Sequence, residues 1–413
     1  MLSSSVYGFG LRAQKRRVPI EYAALVVRPA ARGAGNAKRK ALDAELHLLS
    51  PMERILNDAP KADADALATD LRALAQSLAR YREPNQGRSV FEILITVVPF
   101  VLLWLSMLFA LRIGYGLYLL LAVPAAGFLV RLFMIQHDCG HGSFFRQRLV
   151  NDWVGRVIGV FTLTPYDFWR RAHGIHHATS GNLDLRGIGD IDTLTVREYL
   201  ALSRWRRLCY RLYRHPIIMF GIGPTYLFIL RHRLPFGLTR EGWGPWVSTM
   251  ATNGAIALVV FALMWWIGVW PFLLVHLPIT FFSGAIGVWL FYVQHQFEHT
   301  VWSENRDWSF PTAALHGSSH YDLPVVLRWF SANIGVHHVH HLCSRIPFYR
   351  LQLALRQHPD LANVGRLTLG QSFACVRLVL WDETARRLIT FRELRTRFGA
   401  SAPGRAEACM PAL

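Results

Sequence analysis

Apolar residues gather into four long stretches of the chain, and polar residues fill the spaces between them. The first covers about residues 91–111, roughly the 20 residues that cross a bilayer as a helix. Arg112, Gly114 and Gly116 make a short turn, and a second stretch follows over about 117–135. Pro99 and Pro124 fall inside these two, where membrane helices tolerate proline. Stretches three and four cover roughly 246–269 and 271–293, broken at Trp270 and Pro271. A polar region, residues 137–244, separates the two pairs. Its apolar run 217–230 is too short to cross and predicts an interfacial or re-entrant segment. Trp205, Arg206 and Arg207 beside it suit the headgroup zone.

The flanks read differently. Leu67, Leu71, Leu74 and Leu78 recur at helical spacing and predict an amphipathic helix over 65–80, near the membrane. Asp70 would cap a shorter version of it. Residues 1–64 are basic and broken by Pro19, Pro29, Gly33 and Gly35, which predicts a poorly ordered tail without a secretory signal. Met52 is an alternative start. Residues 295–413 are polar and basic. A helical pattern of Phe373, Val376, Leu378, Leu380, Leu388 and Phe391 closes them. The expected domain is 65–398, with a flexible tail over 399–413.

Charge sets the orientation. Arg112 is the one basic residue in the two outer turns, whereas the N-terminal, central and C-terminal segments hold nearly all the Lys and Arg. Those three segments, and both termini, are expected in the cytoplasm. Composition agrees: 52% of the 413 residues are hydrophobic and only 17% charged, against about 25% charged in soluble domains. The net charge of +18 then fits anionic membrane lipid rather than nucleic acid, for which the chain carries no module. Cys139, Cys209, Cys343, Cys375 and Cys409 are scattered without a CxxC pair, which argues against a disulfide scaffold. No repeat marks a solenoid or an inverted-repeat transporter.

The chemistry lies in the 18 histidines. Most fall into four clusters: HDCGH (137–141), HGIHH (173–177), HQFEH (295–299) and HHVHH (337–341). Helix residues three and four apart share a face, so an HxxxH pair aims two imidazoles at one point. HxxHH does the same with its first and third histidines, and its offset middle one can serve a second ion. Two clusters follow spans directly and two lie in cytoplasmic segments, so all can meet at one depth. Imidazole suits Fe, Zn, Cu and Ni, and about ten ligands suit two ions. Without cysteine ligands an iron–sulfur cluster is disfavoured. Without a dense carboxylate set, so is the soluble carboxylate di-iron site. An all-histidine di-iron site handling O2 is the expectation that remains.

HDCGH, HGIHH and HHVHH resemble the three histidine boxes of the membrane fatty acid desaturase superfamily. The phrases HDCGHGSFF (137–145), HHATSGNLDLRGIGDIDTLTVREYL (176–200), FYVQHQFEHTVW (291–302) and GSSHYDLPVVLRWFSANIGVHHVHHLCSRIPFYRL (317–351) are similar to its bacterial omega-6 (delta-12) acyl-lipid branch. The resemblance extends from about residue 70 to 394. It implies an all-α integral membrane fold, mushroom-like, with four transmembrane helices and a cytoplasmic helical cap holding a di-iron site. It also implies two Fe, O2 as co-substrate, a fatty acyl lipid substrate, and an external electron donor such as ferredoxin or a b5-type cytochrome. Carried over residue by residue, the metal ligands are His137, His141, His173, His176, His177, His337, His340 and His341. His295, ahead of His299, takes the additional ligand position after the fourth span. The host compartment expected is a bacterial inner membrane.

Other residues have lesser expectations. Asp138 and Asp184 are candidates to orient ligand histidines or to cap helices. Glu298 is a minor candidate ligand, and Asn333 a minor candidate for holding a water at the metals. Cys139 and Cys343 are expected to pack, His338 to point away from the metals, His276 to serve helix packing, and Arg131 to snorkel to the headgroups. His47 and His358 are expected in solvent, and His215, His232, His316 and His320 carry no assigned role. Rival functions are a lipid, alkane or carotenoid hydroxylase or ketolase on the same scaffold, and a membrane zinc hydrolase or metal transporter. A transporter would place its ligands near the bilayer midplane, where only His276 lies.

Overall fold

A computed structural model describes residues 73–74 and 76–398. The expected tails, with His47 and Met52, lie outside the described residues, as do Asp70 and the start of the expected amphipathic helix. Residues 73–74 and 76–79 of that helix are helical. Among the described residues, those from Tyr81 onward form one compact unit, described below.

Its principal helices are α1 (Gln86–Ala110), α2 (Tyr115–His141), α3 (Arg148–Phe161), α4 (Tyr166–Thr179), α5 (Trp243–Ile267), α6 (Val269–His295), α7 (Val325–Phe330), α8 (His337–Leu342) and α9 (Phe348–Gln357). The four apolar stretches become α1, α2, α5 and α6, each long and apolar enough to cross a membrane. α1 begins five residues before the apolar run because Asn85 caps it, accepting from the Arg88 N–H at 2.9 Å. α2 is the central span, buried along most of its length, whereas α5 is mostly exposed. α1 turns Ser89, Glu92 and Thr96 inward and exposes Phe91, Leu94, Val98 and Leu102. That is the polarity expected of a helix facing lipid. Pro99, Pro124 and Pro278 are accommodated inside the spans.

Two boundaries differ from the sequence reading. The third and fourth spans part at Gly268 (φ 92°), not at Trp270 and Pro271. Pro271 instead occupies the first turn of α6, where its missing N–H removes no helical bond. α2 also runs on through its whole histidine cluster, and α6 runs on to the first histidine of its own, so His141 and His295 are terminal helical residues. α2 stops at Gly142, whose φ of 66° is left-handed and suits glycine. Beyond the far ends of the spans, only residues 111–114 and Gly268 connect one helix to the next.

α3 had no counterpart in the sequence reading. It exposes Leu149, Trp153 and Val157 at helical spacing, while Asn151, Gly155, Ile158 and Gly159 face inward. A Cβ at Gly155 would overlap the Tyr166 ring, so glycine lets α3 cross tightly over the start of α4. The run 217–230 forms a π-helical turn (Ile218–Ile222) and a short helix (Gly223–Ile229). Its Pro224 and Phe228 meet α6 at Gly284, and neither piece is long enough to cross.

The fold is mostly helical, as expected, with five short strands among the described residues that the sequence did not suggest. These are β1 (Leu194–Thr195), β2 (His320–Asp322), β3 (Arg366–Thr368), β4 (Leu380–Asp382) and β5 (Arg387–Ile389). β1 pairs in parallel with β4, which pairs antiparallel with β5; β2 and β3 are parallel. The closing helix expected from Phe373 to Phe391 is therefore broken. A short helix (Leu369–Cys375) leads into the β4–β5 hairpin and a last helix (Phe391–Phe398). Asp382 turns the hairpin by accepting from the N–H groups of Thr384 and Ala385, both at 3.0 Å. A carboxylate that satisfies its own downstream backbone favours a turn over a helix.

Candidate metal centre

Nine imidazoles from four parts of the chain meet at the ends of α2 and α6. His137 and His141 come from the last turn and a half of α2, and His173, His176 and His177 from α4. His295 ends α6, and His337, His340 and His341 come from α8. They sort into two groups whose ligand atoms lie within 4.8 Å of one another: His137, His141, His173, His177 and His340 in one, and His176, His295, His337 and His341 in the other.

Helical spacing explains the sorting. His137/His141, His173/His177 and His337/His341 are i,i+4 pairs and stay together, while His176 and His340 are offset and join the opposite group. Box two thus gives two imidazoles to the five-membered group and one to the four-membered group; box three divides the other way. The rings of His177 and His341 stack between the groups with centroids 4.1 Å apart.

The nitrogen spacing tests whether a metal fits. Nε2 atoms are 3.1 Å apart for His141/His173 and His173/His177, and 3.2 Å for His177/His340. In the other group they are 3.2 Å for His176/His295, 3.0 Å for His295/His337 and 3.1 Å for His337/His341. An ion about 2.1 Å from each imidazole nitrogen places neighbouring octahedral ligands about 3.0 Å apart. Burial pushes His173, His177, His337, His340 and His341 well below the ordinary imidazole range, and neighbouring imidazoles push the same way. These rings are therefore neutral near pH 7, the form that binds metal. The donor set and its spacing fit two transition-metal ions.

Outer contacts orient three of the rings. His137 Nδ1 lies 3.2 Å from Asp138 Oδ1, and Asp138 Oδ2 accepts from the Phe348 N–H at 2.7 Å. His176 Nδ1 lies 2.5 Å from Asp190 Oδ1, and His295 Nδ1 3.2 Å from the Gly317 carbonyl. Each partner favours an N–H on Nδ1 and leaves the Nε2 lone pair facing the group. A narrow cleft lined in part by His176, Asp190, His295, Gln296 and Trp302 lies beside the four-membered group.

The other expectations divide. Asp138 is in place, but Asp184 is not at a histidine: its carboxylate accepts from the Asn305 N–H at 2.8 Å. Asp190, which the sequence reading passed over, performs that role. Its signal was only its position 14 residues after His176, on a loop whose return depends on Gly187 and Gly189 at φ of 120° and 78°. Glu298 and His299 are exposed, away from both groups. Asn333 donates to the Phe348 carbonyl at 3.1 Å and holds a turn at φ 56°. His338 points away, with Nε2 2.9 Å from the Leu361 carbonyl. His276 stacks on Phe272 within α6, and Cys139 and Cys343 are buried. His358 packs edge-on against Tyr81 rather than standing in solvent. Arg131 does not snorkel: it is 2% exposed and ion-paired with Glu92, a span residue the sequence reading did not single out.

Asp190→Asn will weaken metal retention about 10- to 100-fold, the range for lost outer-sphere partners. Competition with a chelator measures this, and unchanged retention would remove Asp190 from the site.

A family model described as fatty acid desaturase matches residues 115–371, a span containing all nine histidines. A fatty acid desaturase of Bacillus subtilis is 45% identical over 330 residues, covering 80% of this chain and 93% of the relative. From Synechocystis, an sn-1 oleoyl-lipid 12-desaturase is 30% identical over 227 residues, and an sn-1 acyl-lipid omega-3 desaturase (ferredoxin) 32% identical over 231 residues. Each of these two matches covers 54% of this chain and 62% of the relative.

Proposed function

The chain belongs to the fatty acid desaturase family, and from that premise we propose that it inserts an omega-6 (delta-12) double bond into the acyl tail of a membrane lipid, using O2 and two irons held by the nine imidazoles. The convergence of five and four imidazoles at the ends of two membrane helices is the observation that carries this reading. The names of the cyanobacterial relatives support a lipid-borne acyl substrate, and one of them names ferredoxin. A ferredoxin or b5-type donor is accordingly the external reductant proposed here. The concentration of Lys and Arg in the three segments between and beyond the span pairs supports a bacterial inner-membrane setting with the boxes and both termini in the cytoplasm.

The overall reaction balances as R–CH2–CH2–R′ + O2 + 2 e⁻ + 2 H⁺ → R–CH=CH–R′ + 2 H2O. When bound, the iron pair supplies the oxidising power to break two unactivated C–H bonds. The chain supplies the rest. α2, α4, α6 and α8 hold nine nitrogens in fixed directions, so little reorganisation is needed at the site. Asp138, Asp190 and the Gly317 carbonyl keep the proton on Nδ1 of three rings. Burial of His137, His176, His295, His337, His340 and His341 limits water at the site and so limits loss of oxidant to side reactions.

Fatty-acid profiling of a host with and without the gene, alongside a His341→Ala control, tests the proposal. New omega-6 unsaturated chains that depend on intact His341 are expected. Oxygenated products alone would replace it with a hydroxylase or ketolase. One zinc without iron in the purified protein would replace it with a hydrolase or transporter.

A further inference from the structure

Arg131 stands six residues before His137 on α2, about 9 Å along the helix axis. A charged group in a membrane helix is a functional candidate because its insertion is unfavourable. Arg131 is 2% exposed and Glu92, on α1, 1%. Arg131 Nη2 pairs with Glu92 Oε2, while Glu92 Oε1 accepts from Arg88 at 2.8 Å. Arg131 Nη1 donates to the Trp329 carbonyl near the end of α7. The guanidinium carbon lies 4.1 Å from the centre of the Trp329 ring and 5.2 Å from that of Phe348.

Those two aromatics bracket box three. Trp329 stands eight residues before His337, and Phe348 seven after His341. Phe348 is also gripped from α2 by Asp138, which accepts its N–H at 2.7 Å. α2 therefore holds the box-three segment at both ends while contributing His137 and His141 itself. Glu92 makes a cation tolerable there, because a buried charge persists only when paired.

We propose that Arg131, neutralised by Glu92, is a positioning residue for the third histidine box, and that the four-imidazole group depends on it most. The inference rests on the reading of the two groups as iron sites. Box three supplies two of the four imidazoles in one group but one of the five in the other. Slack in that box weakens the four-imidazole site first.

The test uses Glu92→Met/Arg131→Met, which removes both charges at similar volume, a change buried ion pairs often tolerate. A second variant, Arg131→Lys, keeps the charge, but a compact ammonium cannot reproduce a planar group stacked on two rings and donating in two directions. Iron per chain after anaerobic loading, the rate of iron loss to a chelator, and the thermal midpoint of the metal-free protein are measured. The wild type is expected to hold about two irons and each variant about one, with the second lost at least about tenfold faster. The metal-free thermal midpoint of the double variant should stay near that of the wild type.

Two irons in both variants, lost at the wild-type rate, would overturn the inference. So would a loss of both irons in step with the folded fraction, which marks a purely structural pair. If the double variant fails to accumulate as folded protein, the Arg131→Lys readings decide by the same criteria. A wild type that takes up no iron would sink the metal reading and this inference with it, whereas two irons in wild type and variants alike overturns this inference alone.

Discussion

Replacing His341 with Ala will abolish double-bond formation while leaving about one iron per chain. His341 belongs to the smaller group, where its Nε2 stands 3.1 Å from that of His337. Removing it leaves His176, His295 and His337, three imidazoles with no carboxylate among them to anchor a ferrous ion. Losing an outer-sphere partner already lowers affinity or activity about 10- to 100-fold, so loss of a ligand should exceed that. His340→Ala gives the contrast. It leaves four imidazoles in the larger group, and iron should remain closer to two per chain than in His341→Ala. Iron analysis of both variants beside the wild type decides the matter. Equal iron loss in the two would mean that the imidazoles do not serve two separate ions.

Gly335→Ala will destabilise the protein by about 3 kcal/mol, the upper range for overpacking a filled interior, and will strip iron from the smaller group. A Cβ at Gly335 would overlap the carbonyl oxygen of Tyr321 on β2. The obstacle is backbone, so no rotamer change relieves it. The two residues are already joined, the Tyr321 N–H donating to the Gly335 carbonyl at 2.7 Å. The next residues are Val336, 1% exposed, and His337, so any displacement passes directly to a ligand. Gly370→Ala is the control, because a Cβ there meets nothing within 4 Å. Thermal unfolding in detergent and iron content would both have to match the wild type for this account of Gly335 to be wrong.

What could be read from the sequence was what depends on local periodicity. The spans follow from apolar run length, and the pairing within each box follows from the helical repeat, including the divergence of His176 and His340 from their neighbours. What escaped depends on chain segments meeting at a distance. Arg131 looks like a snorkelling residue until Glu92, 39 residues earlier, is seen beside it. Asp190 is one of several acids in a glycine-rich loop, and only the folded loop brings it to His176. Strands of two or three residues carry too little pattern to register. The β4–β5 hairpin kept enough apolar spacing to imitate a helix, and Asp382 overrode it by capping the turn.

Residues 111–114 and Gly268 are all the chain there is between spans on the side away from the histidines. Among the described residues these short connections offer a soluble protein little surface on that side. Under the function proposed above, reductant and substrate headgroup share a single face of the bilayer, and a membrane-impermeant reagent added to the opposite face should leave turnover untouched.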